Sequence, residues 1–383
     1  MIITIAAGPW LPIPTLQGGA HHRIWQGLAE EFAAAGHQVT ILCRAYPGQP
    51  PTEIINGVRY IRRGGFSQSP NIWLDLLKDL AYALQTFSTL PAADILVIND
   101  FWLPVFAPLR SLVGKIVISV GRFPKGQYSL YSRADRFTVL SESIWQGIAQ
   151  QYPAAIPRMR IIPNPVDTRI FSPPAQLRTE SAEKVILYVG RIHPEKGIHL
   201  LIAAFSILSQ QISQVKLRII GPSKGSQGGG GESYLNQLKL QAKGLNVEFL
   251  EPIFESEKLV EIYRQADLFC YPSLAEKGEA FPIAPLEAMA TGLVPIVSNL
   301  NCFQDYIKNE ETGVFFEHRS PDAAQNLATA MASVIMNSKT RYQISIKTSQ
   351  KASEFSYQRI ARLYLADFED LISKESINST LPI

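Results

Sequence analysis

The chain has 383 residues, long for one hydrophobic core and natural for two domains. With 46% hydrophobic and 18% charged residues it has ample material to bury, which excludes a disordered chain. The net charge of +3 is unevenly spread: residues 1–170 hold 15 Lys+Arg against 10 Asp+Glu, and the remainder 21 against 23. That imbalance is too mild for a nucleic-acid partner but suits an N-terminal half that meets an anionic surface or acceptor. Cys43, Cys270 and Cys302 form no CxxC pair and have no metal-ligand spacing to any histidine, so a reducing, cytoplasmic setting with no bound metal is expected. No run of 18 apolar residues occurs, and the apolar start at 1–7 lacks a basic leader; membrane contact is expected to be peripheral at most.

In chain order, β-branched runs predict strands at 2–6, 39–43, 95–98, 116–120 and 137–140. A first helix follows Gly18-Gly19, with Ile24, Leu28, Phe32 and Ala35 as its apolar face and Gly36 as its stop. The stretch from Pro163-Asn164-Pro165 through Pro173-Pro174 to about Glu183 is proline-rich and polar, which marks a linker. Beyond it, strands predicted at 185–189, 215–220, 247–249, 268–271, 294–297 and 314–316 alternate with helical stretches at 198–208, 233–242, 256–266 and 321–336. Gly225 to Gly231 holds five glycines in seven residues and reads as a flexible loop. A terminal helix over 356–373 carries Ile360, Leu363, Tyr364, Phe368, Leu371 and Ile372 on one face, which needs a cover. Alternation of this kind predicts two Rossmann-like parallel sheets, and such sheets bind ligands at the carboxyl ends of their strands.

Three constellations carry chemistry. Glu279, Ala280, Phe281, Pro282 and Ile283 lead into a helix that contains Glu287. Helix-start amides suit a phosphate or sugar oxygen, Glu279 suits sugar hydroxyls and Glu287 a ribose diol; taken alone, two solvated acids on a surface loop explain the pair equally. The strand at 185–189 runs into Gly190, Arg191 and, five residues on, Lys196. Here glycine permits close approach, arginine forks onto phosphate and lysine adds a compact charge, although both cations also fit an ordinary loop. The Gly18-Gly19 turn lets a phosphate lie against amides or serves conformation alone.

Together these motifs resemble glycosyltransferase family 4, the retaining enzymes of GT-B fold. The resemblance runs through the Gly18-Gly19 loop, Asn164-Pro165-Val166-Asp167, Gly190-Arg191 with Lys196-Gly197, Glu279 to Glu287 and the closing Phe355-Ser356-Tyr357. It implies an α/β GT-B fold with two Rossmann-like domains facing a central cleft. The N-terminal acceptor-binding domain would span 1–168, a linker 169–183, the nucleotide-sugar-binding domain 184–355, and a helix at 356–383 would cross back to the first domain.

The resemblance further implies that Arg191 and Lys196 bind the donor diphosphate and that amides near Phe281 to Ile283 hold the sugar and phosphate. Glu279 would touch the transferred sugar and Glu287 the ribose, while the base, of UDP or GDP, would rest on backbone near Pro252 and Ile253. The expected activity is retaining, metal-independent hexosyl transfer to a polysaccharide, lipid-linked or other glycoconjugate acceptor, with no cofactor; no Asp-x-Asp occurs in the chain. Two features depart from the family pattern: Pro282 removes an amide donor, and Gly121-Arg122 stands where many members carry a histidine. Asp100 and Arg122 are substitutes for that histidine, or respectively a strand-end cap and a solvated charge. His21 and His22 read as structural or exposed.

Arg122, Lys125, Arg133 and Arg136 around Tyr128 and Tyr131, beside Phe101-Trp102-Leu103-Pro104, form either an acceptor or membrane face or a solvated basic face over core. A GT-B nucleotide-sugar epimerase and a catalytically degenerate nucleotide-sugar-binding protein are the rival readings.

Overall fold

The structure is a computed structural model that describes residues 1–14, 19–69, 71–175 and 181–379. Two compact units form, one from Met1–Pro165 with Tyr357–Ile383 and the other from Val166–Ser356.

The first unit holds an eight-stranded sheet. Its strands are β1 (Ile2–Ala6), β2 (Gln38–Arg44), β3 (Thr52–Ile55), β4 (Val58–Arg63), β5 (Ala93–Ile98), β6 (Val113–Val120), β7 (Arg136–Val139) and β8 (Met159–Ile161), in the order β3-β4-β2-β1-β5-β6-β7-β8. All neighbours are parallel except the hairpin of β3 and β4, turned by Asn56 and Gly57 at positive φ. The central strands are buried on both faces, as a sheet covered by helices requires. The first helix, Ala20–Ala34, buries Ile24, Trp25, Leu28, Ala29 and Phe32; Ala35 lies past its end and is exposed. The helix Tyr357–Ser379 covers it, with Tyr364 against Trp25 at 5.2 Å and Phe368 against Phe32 at 5.9 Å between ring centroids. Gly27 makes that approach feasible, because a Cβ there would overlap the Tyr357 ring. Leu363, expected on the buried face, is exposed; Ala361 takes its place inside.

The second unit holds six parallel strands: β9 (Lys184–Val189), β10 (Val215–Ile220), β11 (Val247–Leu250), β12 (Leu268–Tyr271), β13 (Pro295–Ser298) and β14 (Val314–Phe316). Their order is β11-β10-β9-β12-β13-β14, so the chain reverses direction of growth between β9 and β12, and ligands favour that crevice. Part of the stretch read as linker packs here: Phe171 is buried against Tyr263, and Arg264 donates to the carbonyl and hydroxyl of Ser172. The glycine run is not a free loop. Gly229 donates to the Lys224 carbonyl at 2.9 Å, Gly230 to Ile192 and Gly231 to Ser223, both at 2.8 Å. A side chain at Gly229 would overlap the Ser223 backbone, so the glycines serve tight packing as well as the turn.

Candidate functional site

The carboxyl end of β9 opens into Gly190, where a Cβ would lie 2.8 Å from the Tyr188 hydroxyl and 3.2 Å from Tyr271. Those two rings stack at 5.6 Å between centroids and tie β9 to β12 at the switch point. Arg191 follows, with one arm of its guanidinium donating to the Gly228 carbonyl and the other to Glu195, both at 2.6 Å. The short helical turn Pro194–Lys196 then drops Lys196 into the interior, 5.7 Å from the centre of the Tyr271 ring. Its ammonium donates to Glu279 at 2.5 Å, and Ser273 donates to the same carboxylate oxygen at 2.7 Å. Both side chains are buried, so each is the partner that the other would be costly to lose. Burial pushes the Glu195 carboxyl up, but Lys196, Arg191 and His193 outweigh it and hold the group below the ordinary glutamate range.

Glu279 precedes the helix Ile283–Ala290, whose N-cap is Pro282. With proline also at 285, the first turn offers the amides of Ile283 and Ala284. Ala280, Pro282 and Ile283 are half-buried, and Phe281 is buried against Tyr306 at 4.6 Å between centroids. Glu287 lies one turn inside that helix, buried, and accepts from the Tyr263 hydroxyl at 3.1 Å. Pro252 and Ile253 sit half-buried in the loop after β11. Gly190, Arg191, Lys196, Glu279 and the start of the Ile283–Ala290 helix thus come together on loops at the carboxyl ends of adjacent strands in one unit.

In the first unit, Gly18 lies outside the described residues. Gly19 is the N-cap of the first helix at φ 104, a conformation that favours glycine. Asp100 is half-buried at the end of β5, and its Oδ1 accepts from the Leu103 amide at 2.7 Å at the start of the short helix Leu103–Phe106. Burial, and then neighbouring Asp79, raise its carboxyl well above the usual range. Arg122 and Lys125 are exposed, but Tyr128, Tyr131 and Arg136 are core, with Arg136 donating to Asp367 and Asp370 of the terminal helix. The expected basic face therefore loses its aromatic members and one of its cations.

His21 is the group that the sequence reading passed over. Its Nε2 lies 2.8 Å from Asn99 Oδ1 at the end of β5, and its ring lies against Gly121 at the end of β6, where a Cβ would be 3.2 Å away. Burial lowers its pKa, Asn99 partly offsets this and Arg122 adds to it, which favours the neutral imidazole. The signal that identifies it is spatial: a glycine on one strand end leaves room for a ring from a helix start.

The family model described as Glycosyltransferase Family 4 matches residues 18–170, and the one described as Glycosyl transferases group 1 matches residues 173–351. The chain belongs to glycosyltransferase family 4. Among family-4 relatives, a D-inositol 3-phosphate glycosyltransferase of Corynebacterium glutamicum is 28% identical over 66% of this chain. The match spans 61% of that relative's length, about three fifths of it. Spore coat protein SA of Bacillus subtilis is 25% identical over 96% of this chain and 99% of its own. Sucrose-phosphate synthase of Thermosynechococcus elongatus shares the fold with a TM-score of 0.78 at 22% identity, covering 97% of this chain and 99% of its own. Anabaena HepE, solved with UDP-glucose, has a TM-score of 0.72 at 17% identity over 97% of this chain and all of its own. The family-4 chain is therefore of GT-B fold, with two Rossmann-like units.

Proposed function

We propose that this chain transfers a sugar of hexose type from a nucleotide diphosphate, UDP or GDP, to a glycan or lipid-linked acceptor, in the cytoplasm and with retention of configuration. The observation that carries this reading is the cluster of Arg191, Lys196, Glu279 and the Ile283–Ala290 helix start at the carboxyl edge of the second sheet. Departure of the nucleotide builds negative charge on its β-phosphate, and two fixed cations with two helix-start amides stabilise that charge without a metal ion. Arg191 would exchange Gly228 or Glu195 for phosphate oxygens, while Glu279, already oriented by Lys196 and Ser273, accepts from sugar hydroxyls. Glu287 accepts from the ribose. The bond from the anomeric carbon to the β-phosphate oxygen breaks, the bond to the acceptor oxygen forms on the same face, and the acceptor proton passes to the departing phosphate. Acceptor recognition is assigned to the first unit, where Arg122 and Lys125 are exposed and His21 presents a neutral imidazole.

The names of relatives support the class of chemistry: one is called a glycosyltransferase acting on D-inositol 3-phosphate, and one neighbour was solved with UDP-glucose. A nucleotide-release assay with UDP- and GDP-sugars over a panel of glycan and lipid-linked acceptors tests the reading. Acceptor-dependent release that Arg191→Ala and Glu279→Gln each reduce by about 100-fold would support it. Release from no donor, or release that both variants leave intact, would refute it, and trapping a sugar covalently on the protein would refute same-face attack.

A further inference from the structure

The loop at 273–279, which carries Glu279, is held from two sides. On the β9 side the Glu195 carbonyl accepts from the Leu274 amide at 2.8 Å and from the Ser273 hydroxyl at 3.3 Å, beside the Lys196–Glu279 pair. On the β14 side the anchor is Glu276, three residues before Glu279. Arg319 forks onto it, with Nε 2.9 Å from Oε1 and Nη2 2.9 Å from Oε2, and His318 Nε2 lies 3.0 Å from the same Oε1. Arg319 also donates through Nη1 to the Asn299 carbonyl at 3.0 Å, and its own amide donates to Glu317 at 2.9 Å. Glu276, Asn299 and the run 317–319 follow β12, β13 and β14, which are neighbours in the sheet. One guanidinium therefore ties together the carboxyl ends of three strands.

Such a pair contributes little to the stability of the fold, because the Glu276 and Arg319 side chains are 51% and 48% exposed and water screens them. Its consequence is local. A fork fixes a carboxylate in orientation as well as in place. The turn from Glu276 to Glu279 is short: the Gly278 and Glu279 amides both reach back to the Ala275 carbonyl, at 3.1 and 3.4 Å. A Cβ at Gly278 would lie 2.7 Å from the Ala275 Cβ, so the turn is packed closely around its glycine. His318 backs the anchor with a buried ring set edge-on to Phe316 at 6.4 Å between centroids. Release of Glu276 would leave Glu279 its Lys196 and Ser273 contacts but free the turn that sets its angle to a ligand. Arg191 and Lys196 lie on a different loop, after β9, and would keep their place.

We propose that Arg319 is a positioning residue for the donor sugar: acting through Glu276, it sets the shape of the loop that presents Glu279. This rests on the donor-site reading given above. The test is titration calorimetry of the full chain with UDP, GDP, UDP-glucose, UDP-N-acetylglucosamine and GDP-mannose, with Arg319→Ala, Arg319→Lys and Glu276→Gln in parallel. Amide exchange across 273–279 is followed in each protein. For Arg319→Ala the expected result is diphosphate affinity within about twofold of the parent chain, nucleotide-sugar affinity lowered about tenfold, and loop exchange raised about tenfold. Arg319→Lys keeps the charge and loses the fork, and should fall between the two. Unchanged exchange in the loop, or an unchanged ratio of nucleotide-sugar to diphosphate affinity, overturns the assignment and leaves the donor site standing. Equal loss of both kinds of ligand, with a lowered urea midpoint, means a structural role alone and overturns it too. A parent chain that binds none of these ligands contradicts the donor site itself, and the assignment falls with it.

Discussion

Lys196 and Glu279 lie 83 positions apart in the chain yet meet at 2.5 Å, with side chains only 6% and 7% exposed. Removing one partner strands the other as a buried charge. Lys196→Met is predicted to destabilise the chain by about 3 kcal/mol, and the Lys196→Met/Glu279→Gln double variant by less than the sum of the two single changes. Urea unfolding across the four proteins of the cycle checks this. Additive losses would mean the pair is not coupled.

Arg191 is 42% exposed at its side chain and forks between Gly228 and Glu195, so its contribution to stability is small. Its predicted effect falls on binding. Arg191→Lys keeps the charge and loses the fork, and should weaken the diphosphate affinity about tenfold while moving the urea midpoint little. Titration calorimetry beside urea unfolding reads both quantities.

Gly27 is predicted to be intolerant of alanine, because the added Cβ would overlap the Tyr357 ring where the terminal helix lies on the first helix. A loss of roughly 1–3 kcal/mol is expected, with amide exchange rising first in the terminal helix. Tyr357→Leu in the same background should recover part of the loss.

His22 is held near pKa 4, first by burial and then by neighbouring His21, and its Nε2 is buried with no hydrogen-bond partner among the described residues. The unfolded chain takes up this proton near pH 6.5, so stability is lost as pH falls from about 6.5 to about 4 and changes no further from this group below that. The shift corresponds to about 3 kcal/mol over that window. His22→Gln should flatten that acid limb, read by unfolding at pH 7.5, 5.5 and 4.5; an unchanged slope would mean the ring is not desolvated.

Much of the second sheet was legible because its strands are short apolar runs spaced by helical stretches, and β10, β12 and β14 begin and end where the pattern places them. The first sheet was harder. β4 carries Arg59, Arg62 and Arg63, which hid it, and Arg62 is buried only because Glu53 and the Ile13 and Pro50 carbonyls receive it. The Asn56-Gly57 turn was the overlooked signal.

At the candidate site, local motif gave the residue types but not their partners. That Lys196 binds Glu279, or that His21 fills the space beside Gly121, depends on strand ends brought together by sheet order. Asp100 shows the same dependence on neighbours: an acid after a strand suits catalysis and helix-start contacts alike, and the sequence does not show that its Oδ1 accepts from the Leu103 amide. The helix Ile72–Thr89 shows the limit of amphipathic reading, since its apolar stripe faces outward.

The most direct measurement is calorimetric titration of the full chain with UDP and GDP, with Arg191→Ala and Glu287→Ala in parallel. One diphosphate binding well, and at least about tenfold more weakly in both variants, is the predicted result. No binding of either nucleotide, or binding that both variants leave unchanged, would contradict the donor site at Arg191, Lys196, Glu279 and Glu287.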